Sequence, residues 1–462
     1  MYARQIDLPD MQSRLTTWLQ SKMPQAQNLS ISPLERSGGG LSNETFFFNL
    51  SWQEAGQSRL EKKVLRWQPK DFPIFPEYDL GKQFRVMECL QSTDVPVPRV
   101  HWLEENEDVL DSPFYVMDKI EGAIPCEVPP YHSFGLYYDA TPQQRANMWW
   151  GTLEAMAKVH KLDWESLGLS FLGVPKGGTG VLDQQLDYYE NYLNWLKEDP
   201  QEPHPILESA LDWLKENCYI PERVTLCWGD CRMPNTIYGP NFEVLGALDW
   251  EMAYLGDPES DLGWFFFLDW QHSDGYGIPR LEGSPQREET VQRYEELTGW
   301  KVKNLFYQDV LAALRFGVIM AKVAKNMKAA NVSAPTEDFE RDNPCTQRLA
   351  SLLDLPPPGK PKREITRIEE VTVAVQFHLT GPGGSDWYLV SDRGKGTRHE
   401  GIVENPEATL TAAAEDWKAI QSGDLDRVQA YMSGKLKMEG DVTLLMQLED
   451  MITKLSRPSL LG

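Results

Sequence analysis

The sequence predicts an α+β chain in two units, a large N-terminal one and a small C-terminal one. Three observations carry this. Strand-like runs around Phe46-Phe47-Phe48 and Lys62-Lys63-Val64-Leu65-Arg66 come early, whereas from Thr141 the apolar residues recur at helical spacing. The stretch Leu355-Pro356-Pro357-Pro358-Gly359-Lys360-Pro361-Lys362 is stiff and polar and cannot continue a helix, which is linker composition. After it the hydrophobic period falls to two, with Val371, Val373, Val375, Phe377 and Leu379 alternating with smaller or polar residues.

Along the chain, residues 11–23 set Leu15, Trp18 and Leu19 at helical spacing and predict an amphipathic lead-in helix. Ser37-Gly38-Gly39-Gly40-Leu41-Ser42-Asn43-Glu44-Thr45 then makes a glycine-rich turn between two strands. Glycines let backbone N–H groups approach phosphate oxygens, so the turn suits the roof of a nucleotide site, although such turns also serve as plain hairpins. Phe114-Tyr115-Val116-Met117-Asp118-Lys119-Ile120-Glu121-Gly122 reads as a buried strand ending in a turn. Trp149, Leu153, Met156 and His160 share one helix face, more simply core than ligand. Tyr188, Tyr189, Tyr192, Trp195 and Trp213 make the next stretch aromatic, and core packing accounts for most of them. Leu226-Cys227 and Val244-Leu245-Gly246-Ala247-Leu248 are short apolar runs, read as buried strands that hold polar loops rigidly. In the tail, Trp387-Tyr388-Leu389-Val390 and Ala408-Thr409-Leu410-Thr411 are further strands, and Leu444, Leu448, Met451 and Leu455 mark a closing amphipathic helix.

A chain of 462 residues is too long for one ordinary domain. Its 45 basic and 69 acidic side chains leave a net charge of −24, most of it before residue 360, which argues against nucleic acid as a partner. An acidic solvated surface explains the excess more simply than a cationic substrate does. No apolar run is long enough to span a bilayer, and the first residues carry no basic-plus-apolar signal. Six Cys without tight metal spacing suit a reducing, cytoplasmic setting.

The chemistry concentrates in Trp228-Gly229-Asp230-Cys231-Arg232-Met233-Pro234-Asn235, followed by Leu248-Asp249-Trp250-Glu251 and Leu255-Gly256-Asp257-Pro258-Glu259-Ser260-Asp261. Phosphoryl transfer needs positioning and charge neutralisation more than covalent work. One carboxylate, Asp230, would orient or accept the proton of an attacking hydroxyl. Mg²⁺ takes oxygen ligands and binds through one or two carboxylates plus phosphates, a share that Asn235 and Asp249 would supply. Asp257 and Asp261 have the simpler reading of residues that cap and anchor the next helix.

This stretch resembles the aminoglycoside phosphotransferase family of kinase-like enzymes, whose loops read H-G-D-x-x-x-x-N and D-x-D or D-x-E. It is most similar to the branch fused to acyl-CoA dehydrogenases, which shares D-x-R-x-x-N and L-D-W-E-x-x-x-L-G-D-P. The resemblance implies a bilobal protein-kinase-like fold, with Asp230 as catalytic base and Asn235 and Asp249 as Mg²⁺ ligands. It implies that ATP lies beneath Gly38, Gly39, Gly40, Ser42 and Asn43, with its phosphates reached by Arg66, or by Lys63 as the fallback. The hinge would hold adenine through backbone groups from Met117 to Ile120, including Lys119. His160 takes a structural role, and helices in the Tyr188 to Trp213 region line the acceptor pocket. Two departures stand out. Trp228 replaces the family His, which is mainly architectural, so a Trp can replace it by packing. Gln83 replaces an expected Glu; it can hydrogen-bond Arg66 without neutralising it, leaving Glu88 or Glu77 to compensate.

The tail resembles a sterol carrier protein type 2 domain through Trp387-Tyr388-Leu389, Pro406-Glu407-Ala408-Thr409-Leu410-Thr411, Ala414-Glu415-Asp416-Trp417, Ser422-Gly423 and the run Met432-Ser433-Gly434-Lys435-Leu436-Lys437-Met438-Glu439-Gly440-Asp441. That resemblance implies helices over a five-stranded sheet and a tunnel for a fatty acyl chain, acyl-CoA or sterol; a tunnel filled by side chains would make the tail an assembly module. The expected organisation is a small lobe over residues 1–118, a large lobe over 119–354, a linker over 355–363 and the sterol-carrier-like unit over 364–462. The expected function is ATP- and Mg²⁺-dependent phosphorylation of a hydroxyl on a small, hydrophobic or acyl-type molecule. The alternatives are an aminoglycoside-type antibiotic kinase and a catalytically weak lipid-carrying scaffold.

Overall fold

The structure is a computed structural model that describes the chain except residues 1–5, 38–41, 174–179, 331, 333, 336–337, 359–371, 393–394, 423–424, 426–429, 431–434 and 441–462. Helix α1 (Leu8–Lys22) starts where the Asp7 side chain accepts the Asp10 N–H, and it buries Met11, Leu15, Trp18 and Leu19 as its spacing predicts. A six-stranded antiparallel sheet follows, built from β1 (Gln27–Ile31), β2 (Glu35–Arg36), β3 (Glu44–Glu54), β4 (Gln57–Trp67), β5 (Val100–Glu104) and β6 (Phe114–Asp118). Its order is β1-β3-β4-β6-β5, with β2 on β3, and α2 (Leu80–Leu90) and α3 (Glu107–Leu110) lie between its strands in sequence. Strands β3 and β4 join through Ala55-Gly56, both at positive φ, the conformation a two-residue hairpin turn needs.

Alternation along these strands decides what reaches the functional cleft. Phe46, Phe48 and Leu50, with Leu65, Trp67, Phe114 and Val116, form one core with α1. The opposite face turns Thr45, Phe47, Val64, Arg66, Tyr115 and Met117 into the cleft.

The larger helical part contains α4 (Leu136–Asp139), α5 (Pro142–His160), α6 (Val181–Leu196) and α7 (Pro205–Glu216). Thr141 and Gln144 form a capping box at the start of α5. Four short strands then carry the polar loops: β7 (Thr225–Cys227) pairs with β10 (Tyr254–Gly256), and β8 (Thr236–Tyr238) pairs with β9 (Val244–Ala247). Helix α8 (Glu259–Gln271) is buried on all sides, and α10 (Leu305–Ala329) packs so closely on it that a Cβ at Gly263 would meet the Gln308 backbone at 2.8 Å. Helices α9 (Arg287–Thr298) and α11 (Pro344–Leu352) complete this part.

The tail contains β11 (Thr372–Thr380), β12 (Asp386–Asp392), β13 (Lys395–Glu400), β14 (Ala408–Ala413), α12 (Ala414–Ser422) and β15 (Leu436–Gly440). The expected five-stranded sheet is present in the order β13-β12-β11-β14-β15, with β11 and β14 parallel. Val373, Val375, Phe377, Trp387, Leu389 and Leu410 pack with Trp417 and Ile420 of α12. The alternation did not reveal β13, because it is an edge strand that carries Lys395, Arg398, His399 and Glu400. The closing helix read from Leu444, Leu448, Met451 and Leu455 lies outside the described residues, as do Val371, most of the Pro-rich linker and Met432-Ser433-Gly434. All six cysteines are free, and no helix among the described residues is long and apolar enough to cross a membrane.

Candidate active site

The 228–235 loop is fixed from below by backbone hydrogen bonds to a buried acid. Asp261 accepts the Trp228 and Gly229 N–H groups at 2.7 and 2.9 Å, while His160 Nε2 stands 3.0 Å from the same carboxylate and Nδ1 stands 2.7 Å from the Tyr294 hydroxyl. His160 is therefore scaffolding. The helix-capping reading holds for Asp257, which accepts the Glu259 N–H at 3.0 Å, but Asp261 is corrected: its carboxylate is spent on the loop. Gly229 has φ of +84°, and a Cβ there would lie 2.0 Å from the Met252 carbonyl oxygen, so the two polar loops meet at a place only glycine fits. Trp228, fully buried, stacks on Trp250 with ring centroids 5.4 Å apart and donates Nε1–H to the Leu248 carbonyl at 2.7 Å. The departure from the family His thus ties the 228–235 loop to the 248–252 loop by packing.

Asp230 is held from three sides. Asn235 Nδ2 and Arg232 Nε donate to its Oδ2 at 2.7 and 3.1 Å, and Trp264 Nε1 donates to its Oδ1 at 2.7 Å. Burial raises the Asp230 carboxyl above the usual carboxylate range, with Arg232 opposing the shift. Arg232 also pairs with Glu127. Asp249, at φ of +60°, points Oδ1 towards Arg66 Nη2 at 3.3 Å, and Arg66 Nη1 donates to Thr45 Oγ1 at 2.8 Å. Glu251, two residues on, accepts from Ser42 Oγ at 2.6 Å and from Asn43 Nδ2 at 2.8 Å. Burial and then Asp249 push the Glu251 carboxyl up to about 8. These groups converge on one cleft of about 440 Å³.

Most of the expected site residues meet there. Ser42, Arg66, Met117, Lys119, Asp230, Asn235 and Asp249 all line the cleft, and Asn43 stands behind it on Glu251. Gly38, Gly39 and Gly40 lie outside the described residues. Lys63 is corrected as the fallback for Arg66: the pleat turns it to the opposite face, where Asp118 holds it at 2.6 Å and Glu61 at 2.5 Å. Gln83 is corrected as a partner of Arg66, because its Oε1 accepts from the Tyr115 hydroxyl at 3.3 Å. Glu77 and Glu88 are exposed, and Asp249 takes the guanidinium instead. Tyr189 and Tyr192 of α6 are core, as their packing reading has it, but the expectation that helices of the Tyr188 to Trp213 region line the pocket is corrected: the far wall of the cleft comes from Ile74, Phe75, Trp264, Phe316 and Ile319. Sequence reading missed Glu127 and Trp264, which touch the loop from over 30 residues away, and Glu251, whose place two residues after Asp249 was the available signal.

The profile of the phosphotransferase enzyme family matches residues 34–304, and that of the SCP-2 sterol transfer family matches residues 357–453. The "Probable acyl-CoA dehydrogenase IBR3" of Arabidopsis thaliana is 27% identical over 326 residues, 66% of this chain and 38% of that protein. The human "Acyl-CoA dehydrogenase family member 11" is 28% identical over 263 residues, 53% of this chain and 30% of that protein. The chain thus spans about a third of the length of these curated relatives. Among solved structures, a "putative aminoglycoside phosphotransferase" from Ralstonia eutropha aligns with a TM-score of 0.54 at 23% identity, covering 74% of this chain and 98% of that one, which shows the shared kinase-like fold. The chain belongs to the phosphotransferase enzyme family and carries an SCP-2 sterol transfer domain behind its kinase-like part.

Proposed function

We propose that the chain transfers the γ-phosphoryl group of ATP to a hydroxyl of a small, apolar or acyl-type substrate, and that the tail binds an acyl chain, acyl-CoA or sterol. The observation that carries the reading is the fixed Asp230 carboxylate, held by Asn235, Arg232 and Trp264 in the same cleft as Arg66 and Asp249. Asp230 accepts the hydroxyl proton as the substrate oxygen bonds the γ-phosphorus and the bond to the β–γ bridging oxygen breaks. Arg66 and Ser42 lie where phosphate charge needs partners, and the backbone from Met117 to Ile120 edges the adenine end. Asp249 Oδ1 and the Asn235 amide oxygen form an all-oxygen donor set that fits Mg²⁺, which when bound neutralises charge on the phosphates. Asn235 donates through Nδ2 to Asp230, which leaves its amide oxygen as an acceptor only.

The acceptor end favours apolar substrates. Ile74, Phe75, Met252, Phe316 and Ile319 would desolvate a cationic aminoglycoside without pairing its ammonium groups. The names of the relatives, acyl-CoA dehydrogenases, and the sterol transfer tail support hydroxylated acyl compounds. We take 1–118 and 119–354 as the two lobes, 355–363 as linker and 364–462 as the lipid module, in a cytoplasmic protein. The test is acceptor-dependent ADP formation with Mg²⁺ and ATP against hydroxyacyl-CoAs, hydroxy fatty acids, sterols and aminoglycosides, with Asp230→Ala as the blank. Turnover of an apolar acceptor that Asp230→Ala abolishes is expected. Turnover of aminoglycosides alone, or turnover indifferent to Asp230, would refute the reading. Asp249→Ala is expected to raise the Mg²⁺ concentration needed for half-maximal rate at least tenfold.

A further inference from the structure

We propose that Glu202, His204 and Glu340 form a binding site for a divalent transition-metal ion, remote from the active cleft. His204 is the N-cap of α7 and is 2% exposed, yet neither ring nitrogen has a hydrogen-bond partner among the described residues. One nitrogen of a neutral imidazole must carry a proton, and a buried polar atom without a partner costs about 1–3 kcal/mol. The ring is aimed at two carboxylates: Nε2 is 3.3 Å from Glu340 Oε1 and 3.8 Å from Glu202 Oε1. Glu340 Oε1 is itself buried without a hydrogen-bond donor.

The spacing fits a tetrahedral ion. Zinc bonds of about 2.0–2.2 Å to nitrogen and oxygen set ligand atoms roughly 3.3–3.6 Å apart. The three ligand atoms already lie within 4.8 Å of one another, so small side-chain rotations close the remaining gap. Imidazole with carboxylates suits zinc and its neighbours better than Mg²⁺, which prefers oxygen alone.

Two cations stand near. Lys325 Nζ donates to both Glu202 oxygens at 2.9 Å and lies 3.6 Å from Glu340, and Arg341 Nη2 donates to Glu202 Oε1 at 3.1 Å. Both hydrogen-bond Glu202, whereas at Glu340 Oε1 they stand off at 3.6 and 3.9 Å, beyond hydrogen-bond distance, so an ion would share the acids with these two cations. An ion there would add a further clip between the chain before α7 and the turn before α11, which Arg341 already joins by donating to the Pro203 carbonyl at 3.0 Å. None of the three residues lines the active cleft, so the site is independent of phosphoryl transfer.

The test is calorimetric titration of the full chain with Zn²⁺ after chelator treatment, together with thermal melts. Wild type is expected to bind one equivalent that His204→Gln and Glu340→Gln each weaken at least tenfold, and Zn²⁺ is expected to raise the melting temperature of wild type only. Co²⁺ is expected to give a visible absorption band in wild type that Glu340→Gln loses, which keeps the test open if His204→Gln folds poorly. Zn²⁺ titrations and Co²⁺ spectra that are the same in wild type and Glu340→Gln would overturn the assignment and leave the cluster as a buried ion-pair network.

Discussion

Asp230→Asn separates chemistry from folding because the three donors around this carboxylate cannot all be satisfied by an amide. Oδ2 takes two donors, from Asn235 at 2.7 Å and Arg232 at 3.1 Å, and Oδ1 takes one, from Trp264 at 2.7 Å. An Asn at this position keeps its single oxygen where the two donors are and turns its NH₂ against the Trp264 indole N–H. A buried unpaired donor costs about 1–3 kcal/mol, and each kcal/mol lowers the melting temperature by ~2–4 °C in a domain of 150–250 residues. With Asp230 as the proposed proton acceptor, its loss should lower turnover by about 10²–10⁴. Nucleotide affinity should stay near wild type, since Asp230 acts on the transition state. Trp264→Phe removes the opposing donor, so the double variant should be less destabilised than the two single losses predict, by about 0.5–3 kcal/mol, with no recovery of turnover. Denaturant melts of the four proteins, with nucleotide titration and the acceptor assay, measure each quantity. Strict additivity of the two substitutions would refute the donor geometry, and turnover within tenfold of wild type would refute the base.

Three further outcomes follow from named contacts. Glu251 titrates near 8 when folded and near 4.5 when unfolded, so its protonated form stabilises the ligand-free protein fully below about pH 4.5, and that contribution is lost as the pH rises through about 8. Glu251→Gln should therefore lose less stability than wild type between pH 5.5 and 9, and parallel profiles by chemical denaturation would sink the idea. Trp228→Ala should cost ~3–5 kcal/mol through lost packing on Trp250, while Trp228→His should fold and keep turnover; a folded, inactive Trp228→His would mean that the indole contacts substrate. Denaturing extraction of the full chain should release an acyl lipid or sterol, and Val375→Asp, which puts a charge at a fully buried position of β11, should lose it; lipid content equal in both proteins would place the ligand elsewhere.

Local chemistry was legible from the sequence, and its partners across space were not. The order Asp230, Asn235, Asp249 is local, and β7 and β9, whose apolar runs predict them, hold it together with their partners β10 and β8, which no apolar run announced. Arg66 rather than Lys63 enters the cleft because alternation along β4 turns neighbouring side chains to opposite faces, a fact latent in the sequence once Leu65 is assigned to the core. Gln83 shows the limit. Its place on α2 follows from the helical pattern, but its choice of the Tyr115 hydroxyl over Arg66 depends on a strand that arrives from over 30 residues away. Asp261 is similar, since a short acid near a helix start reads as a cap until the fold brings two backbone N–H groups of another loop beneath it.

The charges in the cleft argue for what it holds. Asp118, Glu127, Asp230, Asp249 and Glu251 face Arg66, Lys119 and Arg232, with Lys82 at the edge, 3.4 Å from the Glu251 carbonyl and itself held down by burial. Carboxylates thus outnumber the cations beside them in a site where burial makes every unpaired charge costly. The protein relieves the imbalance most at Glu251, whose carboxyl is driven up while Ser42 and Asn43 satisfy its oxygens. A cleft built only for an anionic nucleotide would carry the opposite excess. The acidic surplus would instead suit phosphates that arrive with a divalent cation, which Asp249 and Asn235 would hold and whose charge would offset the carboxylates. On this argument Glu251 loses its proton as Asp249 acquires a positive neighbour, so Mg²⁺-nucleotide binding should release a fraction of a proton near pH 7. Asp249→Asn, by removing the charge that adds to burial in driving Glu251 up, should reduce that release while Glu127 and Arg232 stay paired.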